Sequence, residues 1–392
     1  MLPKKLQKKL EERKTNNSLR ELRAQSDLID FSSNDYLGFS KSKAIYKRAA
    51  TLLKEHDLRC NGATGSRLLT GNHALYRKAE EFIANFHESE AALIYNSGYD
   101  ANVGFFSSVP QRDDLILFDE LCHASIRDGI RMSAAKAFKF KHNDLQQLQQ
   151  LLAQQGSKEK TGLNQREIYV VTESIFSMDG DAPDLNALVS CCNEYYCKLI
   201  LDEAHAVGVC GENGAGLVQQ LQLSQAVFAR IITFGKALGC HGAAVLCNSH
   251  LKSYLVNFSR SFIYSTALPP HSVATILAAY EALKTSKAHT NLQQVLGLFR
   301  SKLTENGLSP YFIESSAAIH SCVIQGNEQV KQIALQLQND GFDIKPIMSP
   351  TVPKGQERLR ICLHSYTTES ELNALFKALK SALKNLAPIQ LD

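Results

Sequence analysis

The sequence predicts an α/β protein with a mostly parallel sheet, followed by a smaller α+β domain. Three observations carry this. Short apolar runs rich in Val, Ile and Leu recur between helical patterns, as strands buried on both faces require. Beyond about residue 283 the rhythm changes to a long helical stretch, short strand-like runs and a closing helix. The length, 392 residues, exceeds one average domain and suits a large one and a small one. The expected division is an N-terminal helical segment at 1–40, a large domain at 41–283 and a small C-terminal domain at 284–392.

The opening "MLPKKLQKKLEERK" reads as a basic helix without the apolar core of a signal peptide. Leu2, Leu6 and Leu10 give it a narrow stripe, which favours packing on the protein over lying on a membrane. Strands are expected at 91–95, 115–118, 168–172, 198–202, 230–234 and 243–247. Helical patterns separate most of them, among them 142–155 and 183–196, where Asp184 marks a helix start. The alternation is that of a parallel sheet with helical crossovers. A polar loop falls at 156–167. A long helical region follows at 269–306, then strand-like runs at 318–326, 342–347 and 358–363, then an amphipathic helix at about 368–386.

Composition excludes several classes. A net charge of +4 is too weak to imply nucleic acid, and no run of eighteen apolar residues predicts a membrane span. None of the ten cysteines forms Cys-x-x-Cys, and the cluster Cys191, Cys192 and Cys197 lacks the partners of a zinc site. Most read as small hydrophobes, and a reducing cytoplasm fits them best.

Chemistry gathers at the strand ends, where open α/β sheets bind ligands. "KLILDEAHAVG" ends a strand in Asp202, with His205 three residues on; Asp also caps turns well. "VVTESIFSMDGD" places Glu173, Ser177 and Asp179 after another strand, and "LFDELCHAS" places His123 after a third. "LIYNSGYDAN" runs a strand into Ser97, Gly98 and Tyr99 and then a helix, whose first N–H groups suit a phosphate as well as a plain turn. "RIITFGKALGCHGAAVL" places Lys236 among small apolar residues, a poor setting for a solvated charge. It is not a P-loop, since Arg230 stands where the first glycine belongs and Ala237 follows the lysine. Gly235 and Gly239 read as points of close backbone approach.

Taken together, these ends offer an amine, an acid, a histidine face, polar partners and a phosphate site. That set suits pyridoxal phosphate: the lysine condenses with its aldehyde, the acid pairs with its ring nitrogen, and Thr233 adds a hydroxyl for its phosphate.

The motifs "FSSNDYLGFS", "NSGYDAN", "TESIFSMDGD", "LDEAHAVGV", "TFGKALG" and "TVPKGQERLR" run in order over nearly the whole chain. In that order they resemble the α-oxoamine synthases, a family of fold type I pyridoxal-phosphate transferases with an aspartate aminotransferase-like fold. The resemblance implies that Lys236 carries the cofactor and moves the proton at the substrate's α-carbon. It implies that Asp202 pairs with the pyridine nitrogen, His205 contacts the ring hydroxyl, His123 stacks on the ring and Ser177 lies beside it. Gly98, Tyr99 and Thr233 are implied as phosphate ligands. Active sites are implied to be shared within a homodimer, with Ser265 and Thr266 reaching the neighbour's phosphate. Asn34 and Arg360 are implied to hold the amino acid's carboxylate, and Arg20 to meet the acyl donor. "TFGKALGCHGAAVLC", "FIYSTALPP" and "TVPKG" favour a member that joins L-alanine to a pimeloyl thioester, on coenzyme A or acyl carrier protein, over siblings such as glycine C-acetyltransferase.

Overall fold

The structure is a computed structural model that describes residues 2–16, 18–20, 22, 27–155, 166–384 and 386. The chain forms two compact units. One comprises Met1–Asn34, Met178–Asp181 and Thr290–Asp392; the other comprises Asp35–Ser177 and Ala182–His289. The N-terminal residues therefore group with the C-terminal ones.

The larger unit is built on seven strands: β1 (Ala91–Tyr95), β2 (Leu115–Asp119), β3 (Lys136–Phe140), β4 (Ile168–Glu173), β5 (Lys198–Asp202), β6 (Ala229–Thr233) and β7 (Ala243–Cys247). They lie in the order β1-β7-β6-β5-β4-β2-β3. Only β7 runs against the rest, antiparallel to both β1 and β6. The six other strands therefore end on one rim. The six strands expected from apolar runs all form. β3 was not expected, because "KAFKF" at the sheet edge leaves its first four residues exposed and lacks an apolar run.

Side chains alternate across the sheet. Tyr169, Val171, Ile200 and Ile231 pack on one face with Phe105 and Ile126 of the helices Gly98–Ser108 and Ala124–Met132. Val170, Leu199 and Leu201 pack on the other with Leu148, Leu152, Leu185 and Leu188 of the helices Leu145–Gln155 and Leu185–Glu194. Asp184 caps the latter helix, accepting from Ala187 N–H at 3.0 Å. The expected polar loop at 156–167 lies outside the described residues, except for Arg166 and Glu167.

The smaller unit carries β8 (Ile319–Val323), β9 (Lys345–Ile347) and β10 (Arg358–Cys362), antiparallel in the order β9-β10-β8. Ile29–Asp30 pairs in parallel with Phe342–Asp343. The long helical region expected at 269–306 is two helices, Pro270–Thr285 and Ala288–Glu305. The closing helix Glu369–Leu383 starts with a capping box between Thr368 and Glu371. The N-terminal helix Lys4–Thr15 forms but buries none of its residues. Leu2, Leu6 and Leu10 are 48%, 48% and 46% exposed, so among the described residues the expected packing through them does not form. Charge explains the preference for water: its six basic and two acidic residues carry a net charge equal to the +4 of the whole protein.

Candidate active site

The acids come first, because strand geometry places them. Asp202 ends β5 and follows Ile200 by two residues, so it faces the helix Gly98–Ser108. It is 6% exposed. Its Oδ2 accepts from Asn102 Nδ2 at 2.9 Å and its Oδ1 from Ala204 N–H at 2.9 Å. Both donors are neutral amides. Asn102 also donates to Ser125 Oγ at 3.0 Å. Glu173 ends β4 as the register partner of Asp202, is buried, and accepts from the backbone N–H of His123 at 2.6 Å. His123 caps the helix Ala124–Met132, and its Nδ1 lies 2.7 Å from Ser125 Oγ.

Lys236 sits in the connection between β6 and β7. The turn is closed by Phe234 N–H on Gly242 O at 2.9 Å, Cys240 N–H on Phe234 O at 2.8 Å and Gly239 N–H on Lys236 O at 2.8 Å. The Lys236 Nζ is 2.7 Å from His205 Nε2, and His205 Nδ1 is 2.8 Å from the Tyr36 hydroxyl. Gly239, at φ +60°, brings its backbone against Ser40 and Phe39, where a side chain would collide. Gly235 does not match its expected role. A methyl there would make ordinary contacts, 3.6 Å from Cys240 O and 3.7 Å from Thr233 Oγ1.

The helix Gly98–Ser108 opens at the same rim, after β1. Ser97 caps it, its Oγ accepting from Asp100 N–H at 3.0 Å, and Gly98 and Tyr99 supply the first helical N–H groups. A methyl on Gly98 would lie 3.8 Å from Thr233 Oγ1, so the helix start and that hydroxyl stand side by side. Asn96 Nδ2 donates to Thr266 O at 2.7 Å, which ties the Ser265–Thr266 stretch to this turn. Ser177 follows β4 and is half-buried. In the smaller unit Arg360 lies on β10, 9% exposed; its Nη2 donates to Asn34 Oδ1 at 2.9 Å and its Nη1 to Cys362 Sγ at 2.9 Å. Arg20 is exposed.

Sequence reasoning missed three members of this constellation. Tyr36 and Asn102 lie inside the motifs "FSSNDYLGFS" and "NSGYDAN" but were not singled out within them, and Glu173 was noted only as a polar strand end. Their roles come from register and helix packing, which a single sequence does not display.

The donor set fits pyridoxal phosphate. It offers a primary amine for an aldehyde, a buried carboxylate held by neutral amides for a protonated ring nitrogen, and a helix N-terminus with an adjacent hydroxyl for a phosphate. Comparison with known proteins agrees. The aminotransferase class I and II family matches residues 26–379. An 8-amino-7-oxononanoate synthase of Emericella nidulans is 40% identical over 376 residues, which cover 92% of this chain and 90% of that protein. The crystal structure of an 8-amino-7-oxononanoate synthase from Francisella tularensis is 26% identical, with a TM-score of 0.76, over 92% of this chain and 98% of that one. A serine palmitoyltransferase from Sphingomonas wittichii shares the fold, with a TM-score of 0.87 at 23% identity over 98% of each chain.

The chain belongs to the aminotransferase class I and II family and has the fold of type I pyridoxal-phosphate enzymes. Within that class it is an α-oxoamine synthase, a pyridoxal-phosphate-dependent acyltransferase.

Proposed function

We propose that the protein condenses L-alanine with a pimeloyl thioester, with release of the carrier's thiol and loss of carbon dioxide, to give 8-amino-7-oxononanoate for biotin synthesis. The acyl carrier is coenzyme A or an acyl carrier protein. The observation that carries the reading is the 2.7 Å contact of the Lys236 amine with His205, on the rim that also holds Asp202 and His123. The 40% identity to the Emericella nidulans synthase supports the choice of substrates.

When bound, pyridoxal phosphate supplies an aldehyde for amines and a ring that accepts electron density from the substrate's α-carbon. The residues of this chain do the rest. Lys236 holds the cofactor and then removes and returns the α-proton. His205 orients the lysine amine before the cofactor is engaged and meets the ring hydroxyl afterwards. Asp202 keeps the ring nitrogen protonated. His123 and Ser177 fix the ring plane, while Gly98, Tyr99 and Thr233 hold the phosphate. Arg360, oriented by Asn34, binds the alanine carboxylate bidentately, and Arg20 meets the acyl donor. We assign the working form to a cytoplasmic homodimer, with Ser265 and Thr266 completing the neighbour's phosphate site.

The experiment is a steady-state comparison of alanine and glycine against pimeloyl and acetyl thioesters. Alanine with the pimeloyl thioester should give the highest kcat/KM. Preference for glycine with acetyl-CoA would make the protein a glycine C-acetyltransferase instead. Lys236→Ala should abolish turnover and the visible absorbance of the purified protein.

A further inference from the structure

Glu173 has no part in the roles above, yet its placement is unusual. It ends β4 directly beside Asp202, so two acids share one face of two adjacent parallel strands, and both are buried. Like charges so placed repel. Its carboxyl makes a short hydrogen bond that points to its part: Oε1 accepts the His123 backbone N–H at 2.6 Å. His123 is the first residue to leave β2's loop for the helix Ala124–Met132, and its own ring is set by Ser125.

We propose that Glu173 is the positioning residue for His123: it holds that residue's backbone and thereby sets the imidazole face on which the cofactor ring rests.

Burial, with the Asp202 charge second, raises the Glu173 carboxyl well above the ordinary carboxylate value; Lys236 and the His123 N–H oppose the rise. Near neutral pH the side chain therefore keeps its proton. A neutral carboxyl still accepts an N–H, and it leaves Asp202 as the single anion facing the ring nitrogen. The amide of glutamine mimics that state; a methyl group does not. The proposal rests on the family's cofactor and is independent of which amino acid or thioester is used.

The test compares Glu173→Gln, Glu173→Ala, His123→Ala and the double variant Glu173→Ala/His123→Ala. The first readout is hydrogen exchange at the His123 amide in the cofactor-free protein. It should quicken about tenfold or more in Glu173→Ala and stay near the parent rate in Glu173→Gln. The second is the affinity for pyridoxal phosphate and the circular dichroism of its visible band. Glu173→Ala should weaken and perturb these as His123→Ala does, and the double variant should be no worse than either single one, the signature of one shared interaction. The third is the pH dependence of that band, which should lose a titration above neutral pH in Glu173→Gln. A group raised this way erodes stability as pH climbs from its unfolded value, so Glu173→Gln should fold at least as well as the parent at pH 7.5. The idea falls if Glu173→Gln is as damaging as Glu173→Ala, if the losses in the double variant add, or if His123 exchange ignores Glu173.

Discussion

Asp202 and Glu203 are consecutive acids at the end of β5, and the fold treats them in opposite ways. Alternation along the strand sends them to opposite faces. Glu203 is fully buried, lies 3.5 Å from the guanidinium of Arg230 and accepts from Val218 N–H at 3.0 Å. The chain supplies its counter-charge, although burial still raises its pKa. Asp202 is nearly as buried, but among the described residues its carboxylate accepts hydrogen bonds from amide donors, with a second acid as its strand neighbour. One acid belongs to the architecture, and the other, in the role proposed above, faces a cation that arrives with the cofactor. A buried carboxylate is thus informative through what the chain withholds from it as well as through its position.

The comparison can be broken most directly at Asp202. Asp202→Asn should lower kcat/KM by roughly 10³-fold, about 4 kcal/mol, because in the proposed role the ring nitrogen loses its partner. Its melting temperature should equal or exceed that of the parent, since a carboxylate beside Glu173 is gone. Glu203→Gln should do the reverse. It strands Arg230 in the interior and should cost about 3–5 kcal/mol in denaturant unfolding, with kcat/KM of the folded protein unchanged at low temperature. Loss of activity without loss of stability in Glu203→Gln would reverse the assignment. Gly216 guards the same pair: at φ +111° a methyl would sit 2.9 Å from Glu203 Oε2. Gly216→Ala should cost roughly 1–3 kcal/mol and leave cofactor affinity alone.

The smallest effect is a pH slope. Arg230 also donates to the carbonyl of His87, whose ring bridges Ala215 O and the Tyr280 hydroxyl at 2.8 Å each. Burial, helped by the Arg230 charge, lowers the His87 pKa from 6.5 to about 3. The unfolded chain therefore binds this proton first, and stability should fall as pH drops from 6.5 toward 3. His87→Gln should flatten that fall by about 1.4 kcal/mol per pH unit in unfolding titrations. An unchanged slope would detach His87 from the structural side of the comparison.

Asp202 was legible because an acid closing an apolar strand in an α/β pattern already faces the ligand rim. Lys236 was legible because its small apolar neighbours suit no solvated charge. Glu203 and Arg230 were not read as a pair, since Arg230 lies inside the strand "RIITF" and nothing local says that it meets a residue 27 positions earlier. Strand β3 escaped because an edge strand with lysines lacks the apolar run by which its neighbours were found. Leu2, Leu6 and Leu10 show the converse: a periodic stripe states what a helix could bury, and in this chain they remain exposed.

The reversed strand β7 has a mechanical consequence. Because it returns immediately beside β6, the lysine's backbone is clamped between two hydrogen-bonded strands and cross-tied within its own turn. The anchor cannot drift, so the amine's reach is left to its own four side-chain torsions. In the role proposed for Lys236, a tether of that kind would let the nitrogen swing away and come back to the same point at every turnover. It also makes loop length a fixed dimension: a single residue inserted between Phe234 and Gly242 would move the pivot even though every side chain named above remained in the sequence.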